Sequence, residues 1–237
     1  MIIFSMVNIA DEVIMSVKLF FQALIKYLVG VVLVGLLLFL PAGTLNYFNG
    51  WLFMAVLFVP IFIAGIVMMV KNPELLKNRL ESKEKQKDQS VVVKLSGLMF
   101  MIGFILPGLG VRFGWYVLPE FVTVIGAAVF LVSYLLYAEV MRENAYLSRT
   151  VKVEQNQKVV DTGLYGVVRH PMYLATVIMF LSMPIVLGSV YSFVVFLVYP
   201  FLIAVRIKGE EKLLENELDG YKEYKHKVKY RLFPFIW

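Results

Sequence analysis

The sequence predicts an all-α, polytopic membrane protein, and three observations carry that reading. Of its 237 residues, 60% are hydrophobic and 17% charged, with a mean hydropathy of +0.77. A soluble domain of this length cannot bury that much apolar surface. The apolar residues fall into runs near the ~20 residues that cross ~30 Å of hydrocarbon, and the charges are gathered into a few connecting segments. The absence of cysteine rules out a disulfide framework or a thiolate metal site. With only His170 and His226, a histidine-rich metal cluster is excluded as well, and no metal site is assigned; a carboxylate-based one stays conceivable. The net charge of +6 is distributed in a way that points to membrane topology rather than to nucleic acid.

Residues 1–20 are apolar but interrupted by Asp11 and Glu12. They lack a basic leader followed by a small-residue cleavage site, so they read as an interfacial helix and not as a removable signal. Apolar runs then predict about six spans, at 20–40, 51–70, 95–111, 120–140, 172–188 and 191–206. Residues 1–140 form an N-terminal membrane region of about four spans. The charged stretch 81–88 reads as a solvated connector. Gly108, Gly110 and Gly114 approach a dinucleotide fingerprint, but the third glycine is one residue late and no strand precedes it; helix packing or a local break explains them better. Leu187-Gly188-Ser189 is the predicted turn of a tight, uncharged hairpin. After Ile207, the spacing of Leu213, Leu214, Leu218 and Tyr221 predicts an amphipathic cytoplasmic helix, followed by a basic, aromatic end suited to a membrane surface.

Twenty-two of the 23 basic residues fall on one side of this arrangement and only Arg112 on the other. Basic residues collect in short cytoplasmic loops. Both termini, residues 71–94, residues 141–171 and the tail are therefore expected in the cytoplasm. So is any site built from them.

Two polar clusters flank the hairpin. The first runs from Asp161 to Tyr173 and contains Arg169-His170-Pro171. Pro171 suits the first turn of a helix, where backbone N–H groups and the helix dipole favour an anion. An isolated Arg169 would serve as a lipid-phosphate anchor; Gly163, Tyr165, His170 and Tyr173 within eleven residues point instead to a ligand loop. The second cluster places Arg206 and Glu210 four residues apart on one helix face, where the last span leaves the bilayer. Ionisable residues near hydrocarbon are costly and usually have a partner or ligand. A guanidinium and a carboxylate together suit a zwitterion.

Taken together, Gly163-x-Tyr165, Arg169-His170-Pro171-x-Tyr173, the apolar hairpin, Arg206-x-x-x-Glu210-Glu211 and Tyr221-x-x-Tyr224 resemble the isoprenylcysteine carboxyl methyltransferase family of integral membrane enzymes. The resemblance covers roughly residues 140–237 and implies a catalytic region at 141–237, with the hairpin at 172–206. It implies S-adenosyl-L-methionine as cofactor, bound by Gln157, Val160, Tyr165, His170, Pro171, Met172, Tyr173 and Glu210. Gln157 stands where the family often has histidine. Arg206 would lie toward the methyl acceptor, with Arg169 beside it as the second catalytic candidate. The implied activity is methyl transfer to a lipophilic acceptor in the bilayer, most like carboxyl O-methylation of a prenylcysteine. A carboxylate acceptor is already ionised at neutral pH and needs no general base. Phospholipid headgroup N-methyltransferases share the cofactor. Membrane sterol reductases share the Arg-His-Pro-x-Tyr pattern but commonly carry Asn where this chain has Met172. A non-enzymatic membrane scaffold is the remaining alternative.

Overall fold

The computed structural model describes residues 2–80, 87–144, 146, 147, 150, 151, 153 and 156–237, with backbone alone for 2–16, 87 and 88. Most of the predicted connector at 81–88 therefore lies outside the described residues; its last two residues already belong to a helix.

Helix α1 (Ile2–Ala42) runs without interruption, because no glycine or proline occurs before Gly30. At 1.5 Å per residue its 41 residues extend about 60 Å, roughly twice the hydrocarbon thickness. The expected separate interfacial helix is thus the leading part of α1. Helix α2 (Phe48–Lys71) stops before Asn72-Pro73, since a residue preceding proline is steered out of the helical region. Pro73 opens the short α3 (Pro73–Leu80), whose Leu75 N–H donates to Asn72 Oδ1 at 3.0 Å. Helix α4 (Lys87–Phe113) ends at Gly114, and α5 (Glu120–Glu143) begins after Pro119.

A 3₁₀ turn (Gly163–Gly166) leads into α6 (Pro171–Val186), with Pro171 in its first turn as expected. Gly188, at φ +71°, makes the hairpin turn, and Ser189 Oγ accepts from Ser192 N–H (3.2 Å) at the start of α7 (Val190–Phe196). Pro200 follows the break between α7 and α8 (Tyr199–Glu217), and α9 (Tyr221–Lys227) closes the helical part. The predicted end of the last span near 206 is not a structural boundary. Helix α8 continues straight into the amphipathic segment as far as Glu217.

Among the described residues, five stretches are long and apolar enough to cross a membrane: 17–42, 48–71, 89–113, 120–143 and 190–217, the last taking α7 and α8 together. The remaining predicted span, α6, has 16 residues and reaches about 24 Å. It is enclosed by its neighbours, with Ala175, Val177 and Val186 fully buried, while Leu40, Val70, Leu135 and Phe201 on the outer helices face outward. That inversion suits a bundle whose solvent is lipid.

Close approaches fix the packing. A Cβ on Gly126 of α5 would meet Ile185 and the backbone of Val186 in α6, and one on Gly108 of α4 would meet the α1 backbone at Leu38 and Ala42. Gly108 is therefore a helix-packing glycine, as its sequence context suggests. Phe53, Phe104, Phe130 and Phe196 pack edge-on or tilted at the centre. At one end of the bundle, Tyr47 Oη donates to the Leu187 carbonyl (3.0 Å) and Leu118 N–H to the Gly188 carbonyl (2.9 Å), joining three helix connections. The opposite end gathers the start of α4, the ends of α5 and α8, α3 and the start of α6.

Candidate functional site

Two adjacent glutamates on α8 organise that second end. Glu211 is 3% exposed and lies on the buried face with Ile207 and Leu214. Its Oε1 accepts from Arg169 Nε at 2.7 Å and its Oε2 from Arg231 Nε at 2.8 Å. His170 Nε2 approaches the same Oε1 at 3.4 Å, without the alignment of a hydrogen bond. Arg169 also donates to the carbonyls of Val228 (2.7 Å) and Lys229 (2.8 Å). The backbone N–H groups of Arg169 and His170 donate to the Tyr230 and Arg231 carbonyls at 2.9 Å. This knot ties the loop before α6, the middle of α8 and the C-terminal tail together. Arg231 closes it from outside, lying 5.2 Å from the Trp237 ring.

Glu210, half-buried, faces a cleft. Tyr173 Oη donates to Glu210 Oε2 and accepts from Arg206 Nε at 3.0 Å. The expected i, i+4 pair is thus bridged by a phenol from the facing helix. Arg206 is 8% exposed, and its carbonyl accepts from Gln89 Nε2 of α4 at 3.3 Å. Gly209 permits that approach, since a Cβ there would collide with the Gln89 amide.

The loop side is held with equal economy. Leu164 N–H donates to Glu143 Oε2 (2.9 Å), and Gly163, at φ +53°, sits where any Cβ would strike that carboxylate. Tyr165 Oη accepts from Asn144 Nδ2 (3.0 Å), and its carbonyl accepts from Tyr224 Oη (2.8 Å). Lys227 bonds Asp161 (2.7 Å) and holds that exposed carboxyl below the usual carboxylate range. Burial pushes the hydroxyls of Tyr165, Tyr221 and Tyr224 up, so all three are neutral phenols at physiological pH.

The cleft between these parts has an interior void of about 90 Å³ within a concavity of about 770 Å³ that opens to solvent. Gln157, Val160, Tyr165, Arg169, His170, Met172, Tyr173, Arg206 and Glu210 all line it. Pro171 does not; it is fully buried behind them at the start of α6. Asn144, Leu214, Leu218, Tyr221 and Tyr224 also line the cleft, and none was singled out as a site residue from sequence. The Tyr221-x-x-Tyr224 spacing and the apolar stripe of α8 were visible signals for four of them. Nothing near Asn144 or Gln89 marks either one.

The donor set fits a zwitterionic nucleoside cofactor. Tyr221 Oη is buried with no hydrogen-bond partner among the described residues, and Glu210 offers a carboxylate beside it on the same wall. Tyr165, Tyr173 and Met172 supply aromatic and thioether surface for a purine or a sulfonium. Among the described residues no group of three histidines or carboxylates is placed to hold a metal.

Residues 121–219, from the start of α5 to just beyond α8, match the family model described as phospholipid methyltransferase, a family of membrane methyltransferase enzymes. A stretch of 91 residues is 29% identical to the Delta(14)-sterol reductase TM7SF2 of Mus musculus; it amounts to 37% of this chain and 22% of that protein. The chain thus spans about a fifth of the length of that curated relative.

Proposed function

We propose that the protein transfers a methyl group from S-adenosyl-L-methionine to a lipid acceptor at the membrane surface. The observation that carries this reading is the Arg206–Tyr173–Glu210 bridge on one wall of the cleft: a carboxylate for a cationic group and a guanidinium for an anionic one, at the mouth of an apolar bundle. When bound, the cofactor supplies an electrophilic methyl. The protein's part is to align the partners and exclude water, because an in-line displacement needs orientation more than acid–base chemistry. Glu210 and the unsatisfied Tyr221 hydroxyl hold the cofactor's amino-acid end, and Arg206 faces the acceptor. Arg169, whose guanidinium is turned to Glu211 and the tail, positions the loop.

The acceptor is read as a lipid carrying either a carboxylate, as in a prenylcysteine, or a headgroup amine. The phospholipid methyltransferase match favours the amine, whose ammonium form must first release a proton to solvent at the open cleft so that its nitrogen lone pair can take the methyl as the sulfonium C–S bond breaks. The limited identity to a sterol reductase supports a second reading, a nicotinamide-dependent reductase, which Met172 and the uncharged Leu174-Ala175-Thr176 disfavour. Titrating S-adenosylhomocysteine and NADPH into the purified protein separates the two. Binding of the first, with labelled methyl appearing in extracted lipid, is the expected result; binding of NADPH alone overturns the proposal.

The site is further proposed to face the cytoplasm, as the basic residues at its end of the bundle suggest. This chain has no cysteine of its own, so single cysteines at Asn46 and Lys77, both exposed, are expected to label from opposite sides of sealed vesicles. Labelling from the same side overturns the orientation.

A further inference from the structure

The side chain of Asn144 stands where α5 meets the loop before α6, and the backbone beside it fixes which way the amide points. Asn144 ends α5: its N–H donates to the Val140 carbonyl at 3.0 Å, and its own backbone leaves the helix at φ −124°, ψ 99°. Its Oδ1 accepts from the Tyr146 N–H at 3.0 Å, a bond that only the oxygen of an amide can make. The other arm, Nδ2, therefore faces Tyr165 and donates to its hydroxyl at 3.0 Å. An asparagine amide can be set either way round, and its hydrogen-bond network decides. Here the Tyr146 N–H decides it.

The consequence falls on Tyr165. A phenol hydroxyl accepts through its lone pairs and has one proton to give. With Asn144 donating to it on one side, the proton is left for another direction, and no described residue takes it. Burial keeps the group neutral, so the proton is present at physiological pH. The rest of Tyr165 is held still. It is 7% exposed, its N–H donates to the Thr162 carbonyl at 3.0 Å, and its carbonyl accepts from Tyr224 Oη at 2.8 Å. Glu143, the residue before Asn144, accepts from the Leu164 N–H. Two consecutive residues at the end of α5 thus pin the turn and the ring it carries. Asn144 and Tyr165 both line the cleft, and a buried donor without a partner is costly unless an acceptor arrives there.

Resting on the methyl-transfer reading, we propose that Asn144 is a positioning residue: by donating to Tyr165 it makes that phenol a hydrogen-bond donor toward an acceptor oxygen or nitrogen of the bound cofactor. An aspartate in its place keeps the bond to the Tyr146 N–H but presents a second oxygen to the phenol. The Tyr165 proton then turns away from the cleft, with nearly the same side-chain shape.

Asn144→Asp in the full-length protein is therefore the test. Affinity for S-adenosylhomocysteine is expected to fall about two- to tenfold, the range of one neutral hydrogen bond. Tyr165→Phe alone is expected to cost the same, and unaltered affinity in that variant overturns the proposal independently. The effect of the new charge by itself is measured in the Tyr165→Phe background, where no proton remains to be turned. There Asn144→Asp is expected to change affinity by less than about twofold. In turnover, the KM for the cofactor should rise while the KM for the acceptor holds, a split that general loosening of the fold does not give. Unchanged affinity in Asn144→Asp, or the same loss in both backgrounds, overturns the proposal. The unliganded protein gives a second reading through the carbon NMR resonance of Tyr165 Cζ, assigned by its absence in Tyr165→Phe. It should move downfield in Asn144→Asp as the phenol donates to the carboxylate, and an unmoved resonance overturns the proposal. Failure of the wild-type protein to bind S-adenosylhomocysteine would overturn methyl transfer instead, while that resonance still reports which way the phenol is turned.

Discussion

Glu210 and Glu211 are neighbours on one helix, yet they belong to different kinds of chemistry. The region around Glu211 is closed: the carboxylate is buried, and two arginines donate to it, one of which also binds two tail carbonyls. The region around Glu210 is open, with a half-buried carboxylate held by one phenol and facing a cleft. Adjacent residues on a helix point about 100° apart, so one turns toward the core and the other toward the cavity. A buried ionic group with every partner in place sets geometry, whereas one with spare capacity at a cleft is available to a ligand. On this comparison, changes at Glu211 should act mainly on folding and changes at Glu210 mainly on binding.

The largest effect is expected at Glu211. Glu211→Gln leaves Arg169 buried without its countercharge, and breaking such a pair costs about 3–5 kcal/mol. The melting temperature in detergent should fall by roughly 6–20 °C, at about 2–4 °C per kcal/mol for a chain of this size. A change of less than a few degrees would break the comparison, because Glu211 would then not be structural.

The next is Glu210→Gln, which removes a charge-assisted partner from the proposed cofactor site. S-adenosylhomocysteine affinity should drop by roughly 10- to 150-fold, corresponding to about 1.5–3 kcal/mol, with the melting temperature nearly unchanged. Unaltered affinity in a folded variant would reject the role.

The legibility of these two regions in the sequence was unequal. The helical bundle follows from apolar runs, and the glycines and prolines that end its helices are in plain view. Pro171 opens α6 and Gly188 turns the hairpin where the sequence predicts. Nine of the ten predicted site residues meet in one cleft because the hairpin returns the chain to the same end of the bundle. The Glu211 knot was harder to read, yet one signal existed. Ile207, Glu211, Leu214 and Leu218 follow helical spacing, so a carboxylate stands in the middle of an apolar stripe. Its partners could not be read in the same way, since Arg231 lies 20 residues away in a tail with no periodicity. The same holds for Gln89 and Asn144, which reach the site through tertiary packing. The continuation of α8 past the expected boundary was also hidden, because composition changes at Arg206 while the backbone has no reason to stop.

Arg206→Lys is expected to be smaller in binding and visible mainly in turnover. The charge survives, but a planar two-pronged donor becomes a mobile ammonium. S-adenosylhomocysteine affinity should hold while methyl transfer and acceptor saturation decline. Lost cofactor affinity with intact acceptor kinetics would move Arg206 to the cofactor side of the cleft.

The smallest single effect is expected from Tyr173→Phe, and it sharpens the comparison most. The hydroxyl is the bridge between Arg206 and Glu210, so its loss removes one hydrogen bond from each. Arg206 and Glu210 are four residues apart on the same helix, however, and can close the gap directly as an i, i+4 pair. The net cost to cofactor affinity should therefore be about 0.5–1.5 kcal/mol, or roughly two- to tenfold. Combined with Glu210→Gln, the two losses should add to less than their sum, by about 0.5 kcal/mol or more, because the phenol's effect on the cofactor passes through the carboxylate. Strict additivity would mean that the Tyr173 hydroxyl acts on the cofactor independently of Glu210, and the Arg206–Tyr173–Glu210 bridge would lose its standing as a functional unit.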